Sequence, residues 1–186
     1  MTGKERILAA FHGTAGGRTA SAEEVWGRPV PYLESVPVEG EELSPETYWR
    51  APVPREDLAL ALARLGRDVG RVGRVEVVAR TPSGRAATVR IEGSKGRAEV
   101  RAAALRRVLG ETRVRSTLFD VRPTPDGVVF VGSGQGHGVG MSQWGARALA
   151  ERGAGYRAIL ARFYPGARLV SVRGVGAGRA EAGGSW

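Results

Sequence analysis

"GSGQGHGVGMSQWGARALA" runs from Gly132 to Ala150 and surrounds one of the two histidines with glycine at every second position. Gly132, Gly134, Gly136, Gly138 and Gly140 alternate with Ser133, Gln135, His137 and Val139. Glycine loses more conformational freedom on ordering than any other residue, so a run this dense needs a compensating purpose. In an extended chain side chains point alternately to opposite faces, so the spacing predicts a ribbon with one bare face. A bare face admits a second backbone or a flat ligand such as a sugar ring. The run follows the strand-like "GVVFV" and precedes a helix, whose first backbone N–H groups attract anions.

Familiar glycine-rich sites do not fit these residues. A phosphate loop requires Gly-Lys-Ser/Thr, and no lysine is present here. The dinucleotide pattern fails because its third glycine position falls on His137 or Val139, and no parallel βαβ context surrounds it. A zinc site needs three or four ligands, and His12 is the only other histidine. Ser142 does not sit in Gly-x-Ser-x-Gly. Two readings of His137 remain: a hydrogen-bonded strut for the loop, or a contact to substrate. On the following helix, Met141, Trp144, Gly145, Ala148 and Leu149 share a core face by i, i+3, i+4 spacing. Ser142, Gln143 and Arg147 lie off that face, where the Gln143 amide can bond sugar hydroxyls or an N-acetyl group.

Outward from the motif, the chain reads as an α+β fold, a single domain with a mainly antiparallel sheet and several short helices. "RILAAFH" (6–12) predicts a short buried strand running into a Gly/Thr turn. Helix formers at 23–26 give way to a proline-broken segment that packs through Trp26, Tyr32 and Leu33. "TYWRAPV" is extended, and "PREDLALALARLG" is a helix with Pro54 at its start, Glu56 and Asp57 in its first turn and Gly66 as its stop. Strands over 74–80, 86–92 and 97–102 follow, with Val75, Val77 and Ala79 suggesting one wet face. Then come a short helix in "AAALRRVLG" and a hairpin around "TPDG". Two helices precede a closing strand over 167–174. The domain is expected over 1–173, with a flexible Gly/Ala-rich tail over 174–186.

The 186 residues are enough for a real core. With 28 Lys+Arg against 19 Asp+Glu, the net charge is +9, which attracts polyanions or reflects an arginine-rich genome. A nucleic-acid partner is not expected, because no reading motif or aromatic–basic interleaving accompanies the charge. The absence of cysteine excludes disulfides and thiol chemistry. No run reaches the length of a membrane span, and no signal peptide is visible.

Two stretches together carry a resemblance. "AAFHGTAGGRTASAEEVWG" with the following "PYLESV" resembles a Phe-His-x-x-x-Gly-Gly-x-Thr segment with its downstream Glu-x-x-Trp-Gly and Pro-Tyr-Leu. "GQGHGVGMSQWGARALAERGAGYRAILARFYPG" resembles a Gly-x-Gly-His-Gly-Val-Gly-Met-Ser-Gln-x-Gly-Ala signature with its downstream Tyr-x-x-Ile-Leu and Tyr-x-Gly. Both are similar to the SpoIID/LytB family, the sporulation stage II D proteins and amidase enhancers. The likeness runs in family order from Ala9 to Gly166, while Arg50 to Arg115 adds little.

The resemblance implies peptidoglycan remodelling outside the cytoplasm. It implies glycan strands as partner, with a cell-wall amidase as a second. Its sporulation members are lytic transglycosylases that cut denuded strands. One carboxylic acid protonates the glycosidic oxygen and then removes the proton of the muramic 6-hydroxyl, closing a 1,6-anhydro ring. That acid sits in a stretch resembling Glu-Tyr-Val-x-Gly-Val-Val-x-x-Glu-Met-Pro, upstream of the first motif. Met1 stands too close to His12 to include it, and Glu5 leads straight into the expected strand. The expectation is an N-terminally truncated member with no catalytic residue of its own. Glu23, Glu24, Glu34 and Asp120 read as surface charges rather than substitutes. The implied substrate contacts are His12, Gly16, Gly17, Arg18, Thr19 and Tyr32 from the first motif. From the second they are His137, Gly138, Ser142, Gln143 and Tyr164. Arg18 suits a lactyl or peptide carboxylate, and Tyr164 stacking or hydrogen bonding. Some members hold zinc through His and Cys near the first motif. Without cysteine, no metal or other cofactor is expected here. The alternative function is a non-enzymatic amidase enhancer or wall-binding scaffold.

Overall fold

A computed structural model describes residues 6–170. The described residues form a small α+β unit of eight strands and five short helices, plus a 3₁₀ turn at Glu41–Leu43. In chain order they are β1 (Phe11–His12), α1 (Ala22–Trp26), β2 (Tyr48–Pro54), α2 (Arg55–Arg64), β3 (Val72–Arg80), β4 (Ala86–Gly93) and β5 (Gly96–Arg101). After these come α3 (Ala102–Leu109), β6 (Phe119–Thr124), β7 (Gly127–Ser133), β8 (Met141–Ser142), α4 (Gln143–Glu151) and α5 (Tyr156–Phe163). No described helix is long and apolar enough to cross a membrane.

Two antiparallel sheets, ordered β2-β7-β6 and β3-β4-β5, share one core. Period-2 burial places Trp49, Ala51 and Val53 of β2 inward, facing Val128 and Phe130 of β7. Phe119 meets Phe130 edge-to-face at 5.0 Å between ring centroids. α2 adds Leu58, Ala61 and Leu62, and α3 adds Ala102 and Leu105. The wet face expected from Val75, Val77 and Ala79 fades along β3. Val75 is buried, Val77 half-buried and Ala79 exposed, because register shifts interrupt the pairing with β4 after Val77.

A second, smaller cluster lies under the two motifs: Ala15, Ala20, Ala22, Leu33, Val38, Val139, Phe163 and Tyr164. Here several expectations change. The strand over 6–12 shrinks to Phe11–His12, and Phe11 is 57% exposed. Only those two residues find a partner, because their parallel mate β8 is itself two residues long. Met141 and Ser142 are accordingly strand rather than helix, and α4 starts at Gln143. Trp26 is 37% exposed, so the 23–36 segment packs through Leu33 and, in part, Tyr32. Ala167–Val170 are not strand, and the remainder of the expected closing strand and the tail lie outside the described residues.

Candidate functional site

The glycine run is not an extended ribbon. Gly134, Gly136, Gly138 and Gly140 have φ of +81°, +102°, +83° and +73°, a region that side chains with a Cβ rarely enter. Four such residues in alternation fold the chain into successive turns, and the side chains between them leave a common face. Val139 is fully buried, His137 half-buried and Gln135 exposed. Two of these glycines also permit close approach. A Cβ on Gly138 would lie 2.4 Å from the Arg85 guanidinium, and one on Gly140 would lie 2.1 Å from the Ala10 carbonyl oxygen.

The bare backbone of the run stitches to the first motif, more than a hundred residues away in sequence. The Gly13 N–H donates to Gln135 O at 3.1 Å, the Gln135 N–H to Thr14 O at 2.8 Å, and the Ala20 N–H to Gly138 O at 2.8 Å. The Met141 N–H donates to Ala10 O at 3.0 Å. The second backbone expected against the run is therefore the His12–Ala20 loop. Trp49 anchors this assembly to the sheets through its indole N–H, which donates to Gly134 O at 2.9 Å.

Buried polar side chains hold the seam. Glu41, 2% exposed, accepts from the Ala15 N–H at 2.6 Å, from the Gly17 N–H at 3.0 Å and from the Ser142 hydroxyl. Ser142 in turn caps α4 by accepting from the Gly145 N–H at 3.1 Å. Arg85, 1% exposed, donates to Ala15 O at 2.8 Å and to Arg18 O at 3.1 Å. Burial lowers its pKa, and the charges of Glu24 and Glu41 oppose that shift. Glu24 completes a capping box with Ser21 and accepts from the Ser83 N–H and hydroxyl. Its burial raises the pKa, but these hydrogen bonds outweigh that and leave it lowered.

His12 is 4% exposed, and its Nδ1 lies 3.1 Å from Val139 O. A carbonyl can only accept, so Nδ1 carries the proton and Nε2 presents a lone pair that has no partner. Burial pushes the His12 pKa down to about 3. His137 accepts from the Val139 N–H at Nδ1, at 3.0 Å, and burial lowers its pKa as well. The His137 ring lies 5.7 Å from His12 and 5.8 Å from Trp26, centroid to centroid. Among the described residues no three His, Cys, Asp or Glu side chains gather as a metal-holding group. Because His137 Nδ1 accepts, its Nε2 carries the proton, so only His12 Nε2 offers a lone pair, one donor where a zinc site needs three or four.

The structure sorts the sequence-derived site residues into two sets. His12, Thr19, Ser142 and Tyr164 are buried. Thr19 accepts from the Val36 N–H at 2.8 Å, and the Tyr164 hydroxyl donates to Ala10 O at 2.7 Å. Half-buried Tyr32 accepts from the Leu8 N–H at 2.9 Å. Gly16, Gly17 and Gly138 contribute backbone with positive φ. Arg18 and Gln143 are exposed, and His137 is half-exposed beside Trp26. A cleft of about 220 Å³ opens next to His137 and Gly136, walled also by Glu24, Arg85, Arg101 and Arg106. Sequence reasoning did not single out Glu41 or Arg85, and placed Glu24 on the surface. Glu41 is one of two adjacent glutamates and Arg85 one of 28 basic residues, so nothing local marks either.

Residues 38–140 match the family model described as a domain of unknown function (DUF8618). The stage II sporulation protein D of Bacillus amyloliquefaciens is 34% identical over 164 residues, covering 86% of this chain and 44% of that protein. An uncharacterized protein of Brachyspira hyodysenteriae is 30% identical over 175 residues, covering 92% of this chain and 46% of that protein. The amidase enhancer of Bacillus subtilis is 26% identical over 210 residues, covering 89% of this chain and 30% of that protein. The chain thus spans less than half the length of these curated relatives. On the family-model match the chain belongs to the DUF8618 domain family, and on these relatives to the SpoIID/LytB family.

Proposed function

We propose that this domain remodels peptidoglycan outside the cytoplasmic membrane by holding glycan strands against Trp26 and His137, with exposed Gln143 as a further contact. The single observation that carries the reading is the exposed Trp26 indole 5.8 Å from the half-exposed ring of His137, which lines the cleft. An exposed indole offers a flat apolar surface to a sugar ring, and the imidazole and the Gln143 amide supply polar contacts around it. The neutral state that burial imposes on His137 suits hydrogen bonding rather than charge pairing.

The acid for a lytic transglycosylase reaction comes, in this reading, from a residue outside the motif region. A general acid must hold its proton near the working pH. Glu24 is shifted the wrong way for this role, and Glu41 is enclosed and accepts three hydrogen bonds. The domain binds and orients the strand, and the group that protonates the glycosidic oxygen is brought to it. The same observation favours a second reading, in which the domain enhances a partner amidase without cutting glycan itself.

A turnover assay separates the two. This chain alone, incubated with peptide-free glycan strands, is expected to yield no 1,6-anhydromuramyl products while retaining the strands on sedimentation. Robust product formation overturns the placement of the acid. Absence of retention overturns glycan binding and leaves the enhancer reading.

A further inference from the structure

The two three-stranded sheets have four edges between them, and an unpaired edge is a ready template for another strand. Three of these edges are managed within the chain. β2 carries Pro52 and Pro54, and Arg113 donates to Pro52 O at 2.6 Å. β3 and β6 lie alongside each other, and Arg80 spans the gap by donating to Phe119 O at 3.2 Å and pairing with Asp120. β5 has none of these devices. It holds no proline and keeps an unbroken register with β4, its only strand partner among the described residues.

The hairpin geometry shows which groups of β5 face outward. The chain turns from β4 to β5 through Ser94 and Lys95, with Gly93 and Gly96 as the closing pair. The closing pair of a two-residue hairpin exchanges both backbone hydrogen bonds, and the bonding direction alternates from there. Gly96, Ala98 and Val100 therefore bond into β4, while Arg97 and Glu99 turn their N–H and C=O groups to the open side. Arg101 is the N-cap of α3, so its carbonyl already accepts the first intrahelical bond. Arg97 is exposed and pairs with no carboxylate among the described residues. Glu99 is exposed too, and Arg90 holds only its Oε1, through Nε at 2.9 Å and Nη2 at 2.8 Å.

We propose that the open edge of β5 pairs antiparallel with β5 of a second copy of this chain. A closed two-fold contact sets residue i against residue j and j against i. With Arg97 opposite Glu99, both outward-facing residues exchange backbone bonds with the second copy. Opposite residues carry their side chains on one face, so unlike charges meet twice. Sliding the register either way sets like charges on the two-fold axis, Glu99 against Glu99 or Arg97 against Arg97. A further shift toward α3 needs the carbonyl of Arg101, which the helix has taken. The charges that oppose other registers thus select this one. At the ends Lys95 comes opposite Arg101, and Asp68, 2.7 Å from Lys95, offsets that repulsion. The product is a continuous six-stranded sheet. Arg101 lines the cleft beside His137, so the two clefts lie at opposite ends of the paired strands. A six-residue edge is a small contact, and the dimer is accordingly weak and reversible.

Sedimentation velocity of the whole chain over a concentration series is expected to show a reversible monomer–dimer equilibrium. Arg97→Glu and Glu99→Lys, each alone, set like charges opposite and raise the dissociation constant at least tenfold. An equimolar mixture of these two variants restores association near the wild-type constant, because every opposite pair then unites unlike charges. Arg122→Glu, the same charge change at an exposed position of β6, leaves the constant as in the wild type. A wild type that stays monomeric across the series overturns the proposal. So does a dimer unaffected by both single variants, a mixture that fails to associate, or an equal loss in Arg122→Glu.

Discussion

Phe130 and Arg85 are both fully buried, yet they belong to regions built on opposite principles. The sheet region closes over a broad apolar core that runs from Trp49 to Phe130 and takes in both three-stranded sheets. Its sequence alternates, and its order follows from burial. The motif region has a smaller apolar cluster of eight buried residues, three of them alanine, and is closed as well by backbone contacts and buried polar side chains. Glu41, Arg85, His12, Thr19 and Ser142 do there what leucines and phenylalanines do in the sheets. Apolar packing tolerates exchange among similar volumes, whereas a buried charge tolerates no loss of its partners.

The largest effect expected lies in the sheets. Phe130→Ala removes a ring packed edge-to-face on Phe119 and should cost about 3–5 kcal/mol of stability in urea unfolding. A loss below about 1 kcal/mol would show that the sheets are not held by this core. The next is an acid sensitivity confined to the motif region. Folded His12 titrates at about 3, against an ordinary 6.5, so the folded protein keeps the ring neutral. Its contribution is complete above pH 6.5 and falls away as pH drops from there toward 3. By pH 4 the penalty is on the order of 3 kcal/mol. Stability followed by denaturant titration between pH 7 and pH 4 checks this, and a flat profile would contradict it. Burial lowers His137 as well, which adds to the effect in the same direction.

Glu41→Ala sharpens the comparison from the polar side. It strands the Ala15 and Gly17 N–H groups and the Ser142 hydroxyl, and should cost about 2–3 kcal/mol. Hydrogen exchange should show the loss localised to the 12–20 loop and the start of α4, with β2, β6 and β7 still protected. The smallest effect is at the surface. Arg147→Ala removes an exposed pairing with Glu151 and should leave the melting temperature unchanged.

The sheet region was the more legible in sequence. Alternation in "TYWRAPV", the proline start and glycine stop of α2 and the two-residue turn in "TPDG" each have a local cause. The register shifts of β3 were not readable, since they depend on its partner strand. In the motif region, residue types located the site but misjudged its geometry. Alternating glycines suggest an extended ribbon as readily as a series of positive-φ turns, and only the tertiary partners Arg85 and Ala10 decide between them. Ser142, Thr19 and Tyr164 looked available to a ligand because hydroxyl groups often are. Their actual partners, Glu41, Val36 and Ala10, are remote in sequence or lie in segments without a pattern. Residue type marks Trp26 as core, and its exposure beside His137 emerges only when the glycine run folds back onto the first motif.

The account holds that the motif region, and not the sheet surface, carries the glycan. The most direct measurement is retention of the chain on sedimented peptide-free glycan strands at fixed ionic strength. His137→Ala combined with Gln143→Ala should lower retention by at least fivefold, with far-UV circular dichroism and melting temperature close to wild type. Lys95→Ala, at an exposed site on the sheet region, should bind as the wild type does. Unchanged retention in the double variant, or an equal loss in Lys95→Ala, would contradict the account.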